Sequence, residues 1–107
     1  MRTACSEFAR WRAAGVAAGL KASGSPDVAL VVNDGPDRVA AVVLTRNRVQ
    51  AAPVRWTRQV VADGRVDAVV LNSGGANACT GPGGFQDTHR TAEHVAQVLA
   101  LSAGDVA

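Results

Sequence analysis

A chain of 107 residues in which 48% are hydrophobic makes at most one globular domain and excludes a disordered polymer. Its formal charge of +2 is spread over arginines that alternate with acids between Arg2 and Arg90, which argues against a nucleic-acid surface and for solvated charged faces. No stretch reaches the ~20 apolar residues of a membrane span, no signal-peptide core is visible, and the distant pair Cys5 and Cys79 suits a reduced, cytoplasmic compartment.

Alanine and valine supply most of the apolar content, and the aromatics are Phe8, Trp11, Trp56 and Phe85. A core of that kind has little volume per residue and calls for more chain or a partner to complete it. Residues 1–12 read as an N-terminal arm, with no period over Met1 to Arg10. From Arg12 to Lys21 alanine favours helix, but Gly15 and Gly19 each weaken one by about 1 kcal/mol, so the stretch is read as a strand. Ala22 to Asp27 is a turn by composition.

Val28 to Asn33 is a short run rich in branched residues, which predicts a buried strand. The turn signal Asp34-Gly35-Pro36-Asp37 leads to a second apolar run, Val39 to Leu44, and the two are expected to pair as an antiparallel hairpin. Pro53 near its start and Gly64 just past its end bracket a helix. Its inner face is predicted to carry Pro53, Trp56, Thr57, Val60 and Val61, with Trp56 as a core anchor. Val66 to Asn72 is apolar enough for a central strand. A second helix follows from Phe85, where Phe85, His89, Ala92, Val95, Ala96 and Leu99 recur at three- and four-residue steps. Asp105-Val106-Ala107 reads as the opening of a further strand. The order is that of an α/β layer whose sheet is left with an open edge, and such an edge is expected to be poorly stable alone.

The stretch between the last full strand and the second helix, Asn72 to Gly84, holds five glycines among small polar residues. At roughly twice the ~2–6 residues of a plain strand-to-helix connection, it has the length and flexibility of a functional loop. A phosphate cradle needs a lysine or a third glycine that this loop lacks: no lysine follows Lys21, and Gln86 stands where G-x-G-x-x-G would place glycine. An improvised anion nest of backbone amides stays open as an alternative, a small α/β binding module using residues 72–84. A metal site is not supported: His89 and His94 diverge by about 140° on a helix, and no C-x-x-C or H-E-x-x-H occurs. Cys79, among small neighbours, reads as a packed thiol rather than a nucleophile.

Four segments carry a resemblance: Gly15 to Lys21, Thr45 to Val49, Ala51 to Val54 and, above all, Asn72-Ser73-Gly74-Gly75-Ala76-Asn77-Ala78-Cys79-Thr80-Gly81. Together they resemble the N-terminal region of the bifunctional ornithine acetyltransferase / N-acetylglutamate synthase (ArgJ) family of arginine biosynthesis, over about residues 13–107. The resemblance implies a layered sheet-and-helix sandwich of the self-processing, N-terminal-threonine type, here in its N-terminal part. It implies acetyl transfer from N2-acetylornithine to glutamate by a ping-pong route through an acetyl-threonine. It also implies a heterotetramer of two chain types and no cofactor, with acetyl-CoA as an alternative donor of the parent enzyme. A threonine hydroxyl beside its own amine has a built-in base, and the family builds its oxyanion hole partly from a Thr-Gly pair. Both elements are expected beyond Ala107, so no catalytic residue is assigned within the chain and Thr80-Gly81 does not replace them. The chain is expected to be a fragment, inactive alone, ending inside a strand. Asn72, Asn77 and Thr80 are the candidate hydrogen-bond contributors of the loop near the active centre.

Overall fold

The computed structural model describes residues 2–5 and 11–107. Four strands, β1 (Arg2–Cys5), β2 (Trp11–Val16), β3 (Val28–Asn33) and β4 (Ala68–Asn72), form one antiparallel sheet in the order β1-β2-β3-β4. Helix α1 spans Ala52–Val60 and continues as a short 3-10 turn to Asp63, and α2 spans Gly81–Leu99. Part of the expected arm is therefore ordered into the sheet: Arg2 to Cys5 pair with Arg12 to Gly15. Met1 and residues 6–10 of that arm lie outside the described residues.

The strand expected from Arg12 to Lys21 is present but stops at Val16, and its antiparallel partner is β3. This corrects the hairpin expected between Val28–Asn33 and Val39–Leu44. A strand has two hydrogen-bonding edges, and both edges of β3 are occupied, by β2 and by β4. The turn after β3 does form, because Asn33 accepts from the Gly35 amide at 2.9 Å and donates from Nδ2 to the Asp37 carbonyl at 2.8 Å. The chain then leaves the sheet and pairs through a single bridge, Val39 with Arg65, while Val43 is 99% exposed.

Alternation across the register sorts the sheet into two faces. Leu30, Val32, Ala68 and Val70 pack against Ala92 and Ala96 of α2, with Val106, Trp56 and Leu99 completing the core. Alanines four apart on α2 present no bulk, so the helix lies close on the sheet. Trp56 is the anchor expected from the sequence: it meets Phe85 edge-on at 6.1 Å between ring centroids and His89 at 4.8 Å. Its Nε1 donates to the Val106 carbonyl at 2.9 Å. Pro53, expected on this inner face, is exposed.

Gly64 ends the first helical segment at φ 75°, in the left-handed region that favours glycine, as the sequence signal implies. Beyond it, β4 is not central within the four-stranded sheet. Its outer side is met by the residues predicted to open a strand: Val106 bridges Ala68 in parallel, with the Ala107 amide donating to the Ala68 carbonyl and the Val70 amide to the Ala107 carbonyl. The second helix begins four residues earlier than Phe85, because Pro82 sits in its first turn with its fixed φ. The connecting loop is thereby shortened to residues 73–80.

Candidate functional site

Val16, Val28 and Asn72 stand side by side across β2, β3 and β4. The chain leaving β2 after Val16 and the glycine loop leaving β4 after Asn72 therefore emerge from the same end of the sheet. Asp27, the last residue before β3, joins them. Its amide donates to the Val16 carbonyl at 2.9 Å, and its own carbonyl accepts from the Ser73 amide at 2.8 Å. Its carboxylate, 4% exposed, accepts from the amides of Ala18 and Leu20 at 2.6 Å each and of Lys21 at 2.9 Å. The Ala18 amide, followed by the Lys21 amide, holds this carboxyl below the usual value of 3.8 against the opposing effect of burial.

The glycine loop touches the turn it faces. At Gly74, φ is 101°, and a Cβ there would sit 2.9 Å from Lys21 Cγ and 3.3 Å from the Leu20 carbonyl carbon. Only glycine meets both the backbone angle and the close approach.

Asn77 and Thr80 are brought together at the loop's other end. The Asn77 amide nitrogen donates to the Gly84 carbonyl at 2.7 Å and to Thr88 Oγ1 at 3.0 Å, and its oxygen accepts the Thr80 hydroxyl. The Asn77 carbonyl also accepts from the Ala52 amide at 2.9 Å, which ties the start of α1 to the loop. Thr80 is the N-cap of α2, yet its hydroxyl turns to Asn77 and caps no helix amide. Asn72 is placed elsewhere, exposed on the rim of a cavity of about 560 Å³ lined by Val31, Val42, Val70 and Leu71. Thr80 borders a smaller one of about 200 Å³ with Gln50, Arg55, Cys79 and Phe85.

Cys79 is exposed, with a left-handed φ of 58°, which corrects the packed-thiol expectation. His89 lies between Trp56 and Glu93, whereas His94 lines a separate groove with Arg90 and Glu93. Among the described residues no group of three or more His, Cys, Asp or Glu could hold a metal ion.

Two acids were missed by reading the charges as solvated. Asp27 is one. Asp67 is the other, 3% exposed, paired with Arg38 at 2.9 Å and Arg65 at 3.2 Å, with Oδ1 unpartnered among the described residues. Asp67 locks the 33–38 turn to the entry of β4, since its carbonyl also accepts from the Asn33 amide at 2.8 Å. A hint lay in the position of each acid, immediately before an apolar run.

Comparison with known proteins joins this geometry to a family. The ArgJ family profile matches residues 12–107. The "Arginine biosynthesis bifunctional protein ArgJ" of Streptomyces coelicolor is 70% identical over 95 residues, covering 89% of this chain and 25% of that protein. The protein of the same name from Mycobacterium tuberculosis is 69% identical over 91 residues, covering 85% of this chain and 22% of its own length. The crystal structure of ornithine acetyltransferase from M. tuberculosis, complexed with ornithine, superposes with a TM-score of 0.90 at 63% identity, over 92% of this chain and 53% of that one. The Bacillus halodurans ArgJ structure gives 0.85 at 34% identity, over 91% and 50%. The chain thus spans about a quarter of the length of these curated relatives and shares the fold of about half of each solved chain. With the family profile matching residues 12–107, the chain belongs to the ArgJ family.

Proposed function

We propose that this chain supplies the N-terminal part of an enzyme that transfers acetyl from N2-acetylornithine to glutamate. The observation that carries the reading is the match over residues 12–107, a range that includes the loop from Asn72 to Gly81. The reaction is a ping-pong transfer through an acetyl-threonine, whose nucleophile and oxyanion Thr-Gly are supplied by sequence outside residues 1–107. An N-terminal threonine can be acylated because its own amine takes the hydroxyl proton. Donors fixed around the tetrahedral oxygen then stabilise the developing charge.

In this reading residues 1–107 provide scaffold and substrate-side wall rather than the reacting group. Asn77 and Thr80 hold the loop in shape, and they and Asn72 contribute hydrogen bonds beside the active centre. The family assembly is a heterotetramer of two chain types, working in the cytoplasm without a cofactor, and acetyl-CoA serves as an alternative donor of the parent enzyme. No helix among the described residues is long and apolar enough to cross a membrane.

The test is a pair of assays of ornithine-dependent acetyl transfer. The 107-residue chain alone should give no turnover. A chimera carrying residues 12–107 in place of the matching stretch of the S. coelicolor relative should be active. Turnover by the chain alone would overturn the placement of the nucleophile, and a folded but inactive chimera would overturn the reading itself.

A further inference from the structure

The run Val39 to Leu44 has the chemistry of a strand and no neighbouring strand. Its valines favour a pleated, half-buried surface, yet Val39 is 86% exposed and Val43 stands clear in solvent. Its start is pinned: Val39 bridges Arg65, and the Ala40 amide donates to the Gly64 carbonyl at 2.8 Å. From Ala41 to Leu44 no backbone amide or carbonyl is hydrogen-bonded to another backbone group among the described residues. An apolar run with its backbone groups free is a place where a further strand can add. The same run walls the cavity of about 560 Å³, together with Val31, Val69 and Leu71 on the sheet face turned away from α2. Apolar surface left open on this scale marks an interaction site.

We propose that Val39 to Leu44, with the cavity beside it, receives an apolar strand from the rest of the enzyme, the part outside residues 1–107. The inference rests on the acetyltransferase reading above. Two observations choose that occupant. The matched stretch is only 25% of the S. coelicolor relative, so most of such an enzyme remains to cover this face. Ala107 borders the same cavity, so the sequence that follows it in the enzyme sets out from the cavity wall. A strand suits the run better than a helix, because a strand edge supplies the row of donors and acceptors that Ala41 to Leu44 need. Its side chains are apolar, because Trp11, Val42 and Leu71 meet them across the cavity.

The experiment is amide exchange on the same chimera. The amides of Ala41 to Leu44 should exchange at least about 100-fold more slowly than in an unstructured peptide, and at the peptide rate in the 107-residue chain alone. Val43→Lys should lower the thermal midpoint of the chimera by about 2 °C or more. It should leave the urea midpoint of the 107-residue chain unchanged, since Val43 is exposed there. Peptide-rate exchange in a folded chimera, or a chimera indifferent to Val43→Lys, overturns the proposal. A chimera in which Leu30 to Val32 also exchange at the peptide rate overturns it too, because the rest of the enzyme then fails to accept this face. Protection already present in the chain alone overturns the occupant, in favour of a second copy where it grows with concentration. Exchange needs no turnover, so protected amides in an inactive chimera leave the docking standing while the catalytic reading falls, and peptide-rate exchange in an active chimera does the reverse.

Discussion

Asn77 and Gly84 are held side chain to backbone, with the Asn77 amide nitrogen 2.7 Å from the Gly84 carbonyl oxygen. The contact exists because Gly84 has no side chain: a Cβ there would fall 1.7 Å from Thr80 Oγ1 and 2.4 Å from Asn77 Oδ1. Neither neighbour can withdraw without breaking the Asn77–Thr80 bond. Gly84→Ala should therefore destabilise by about 1–3 kcal/mol, the range of overpacking, despite alanine's better helix propensity. Urea denaturation checks this, and an equal or higher midpoint would refute it.

Asn77→Asp tests the polarity of the same lock. The carboxylate keeps the acceptor for Thr80 but cannot donate to Gly84 or Thr88. The Gly84 carbonyl then faces an anion, while the Thr88 hydroxyl can turn from Gly84 to donate to it, and a loss of about 1–3 kcal/mol is expected at neutral pH, smaller at pH 3 where the acid can donate again. Urea midpoints at the two pH values decide it.

Trp56→Phe removes one atom of consequence, the Nε1 that donates to the Val106 carbonyl, while keeping an aromatic ring against Phe85 and His89. Leaving that carbonyl without its partner should cost about 1–3 kcal/mol. Amide exchange should speed at Ala107, whose amide donates to Ala68 beside the freed carbonyl.

Asp27 makes stability depend on acid. Its folded pKa lies below the unfolded 3.8, so the unfolded chain binds more protons and stability rises with pH through that window. The contribution is fully present above the unfolded value and is lost as pH falls through the folded one. Asp27→Asn should flatten the acid limb of the stability curve below about pH 5. Asp34, lowered chiefly by its hydrogen bond with Arg12, adds a limb of the same sign that Asp34→Asn removes.

Cys79 should react with a thiol-specific reagent in the folded chain without prior denaturation, because it is exposed. Cys79→Asn should be neutral or stabilising by up to about 1 kcal/mol, since asparagine tolerates a φ of 58° better. Mass spectrometry and a thermal scan measure the two effects.

Local signals in the sequence were sufficient where one segment decides its own conformation. The branched run Val28 to Asn33 makes a strand, and Pro53 and Gly64 frame α1, because φ restrictions act without reference to the rest of the chain. Four segments in order, Gly15 to Lys21, Thr45 to Val49, Ala51 to Val54 and above all Asn72 to Gly81, carried the resemblance to the ArgJ family, because so extended a set of matches seldom recurs by chance. Pairing was decided only in three dimensions. Val39 to Leu44 has the composition of a strand, but β2 and β4 had taken both edges of β3. The roles of Asp27 and Asp67 were equally hidden. A carboxylate is solvated or buried according to whether amides and guanidinium groups distant in sequence converge on it, and for these two they come from Ala18, Leu20, Lys21, Arg38 and Arg65.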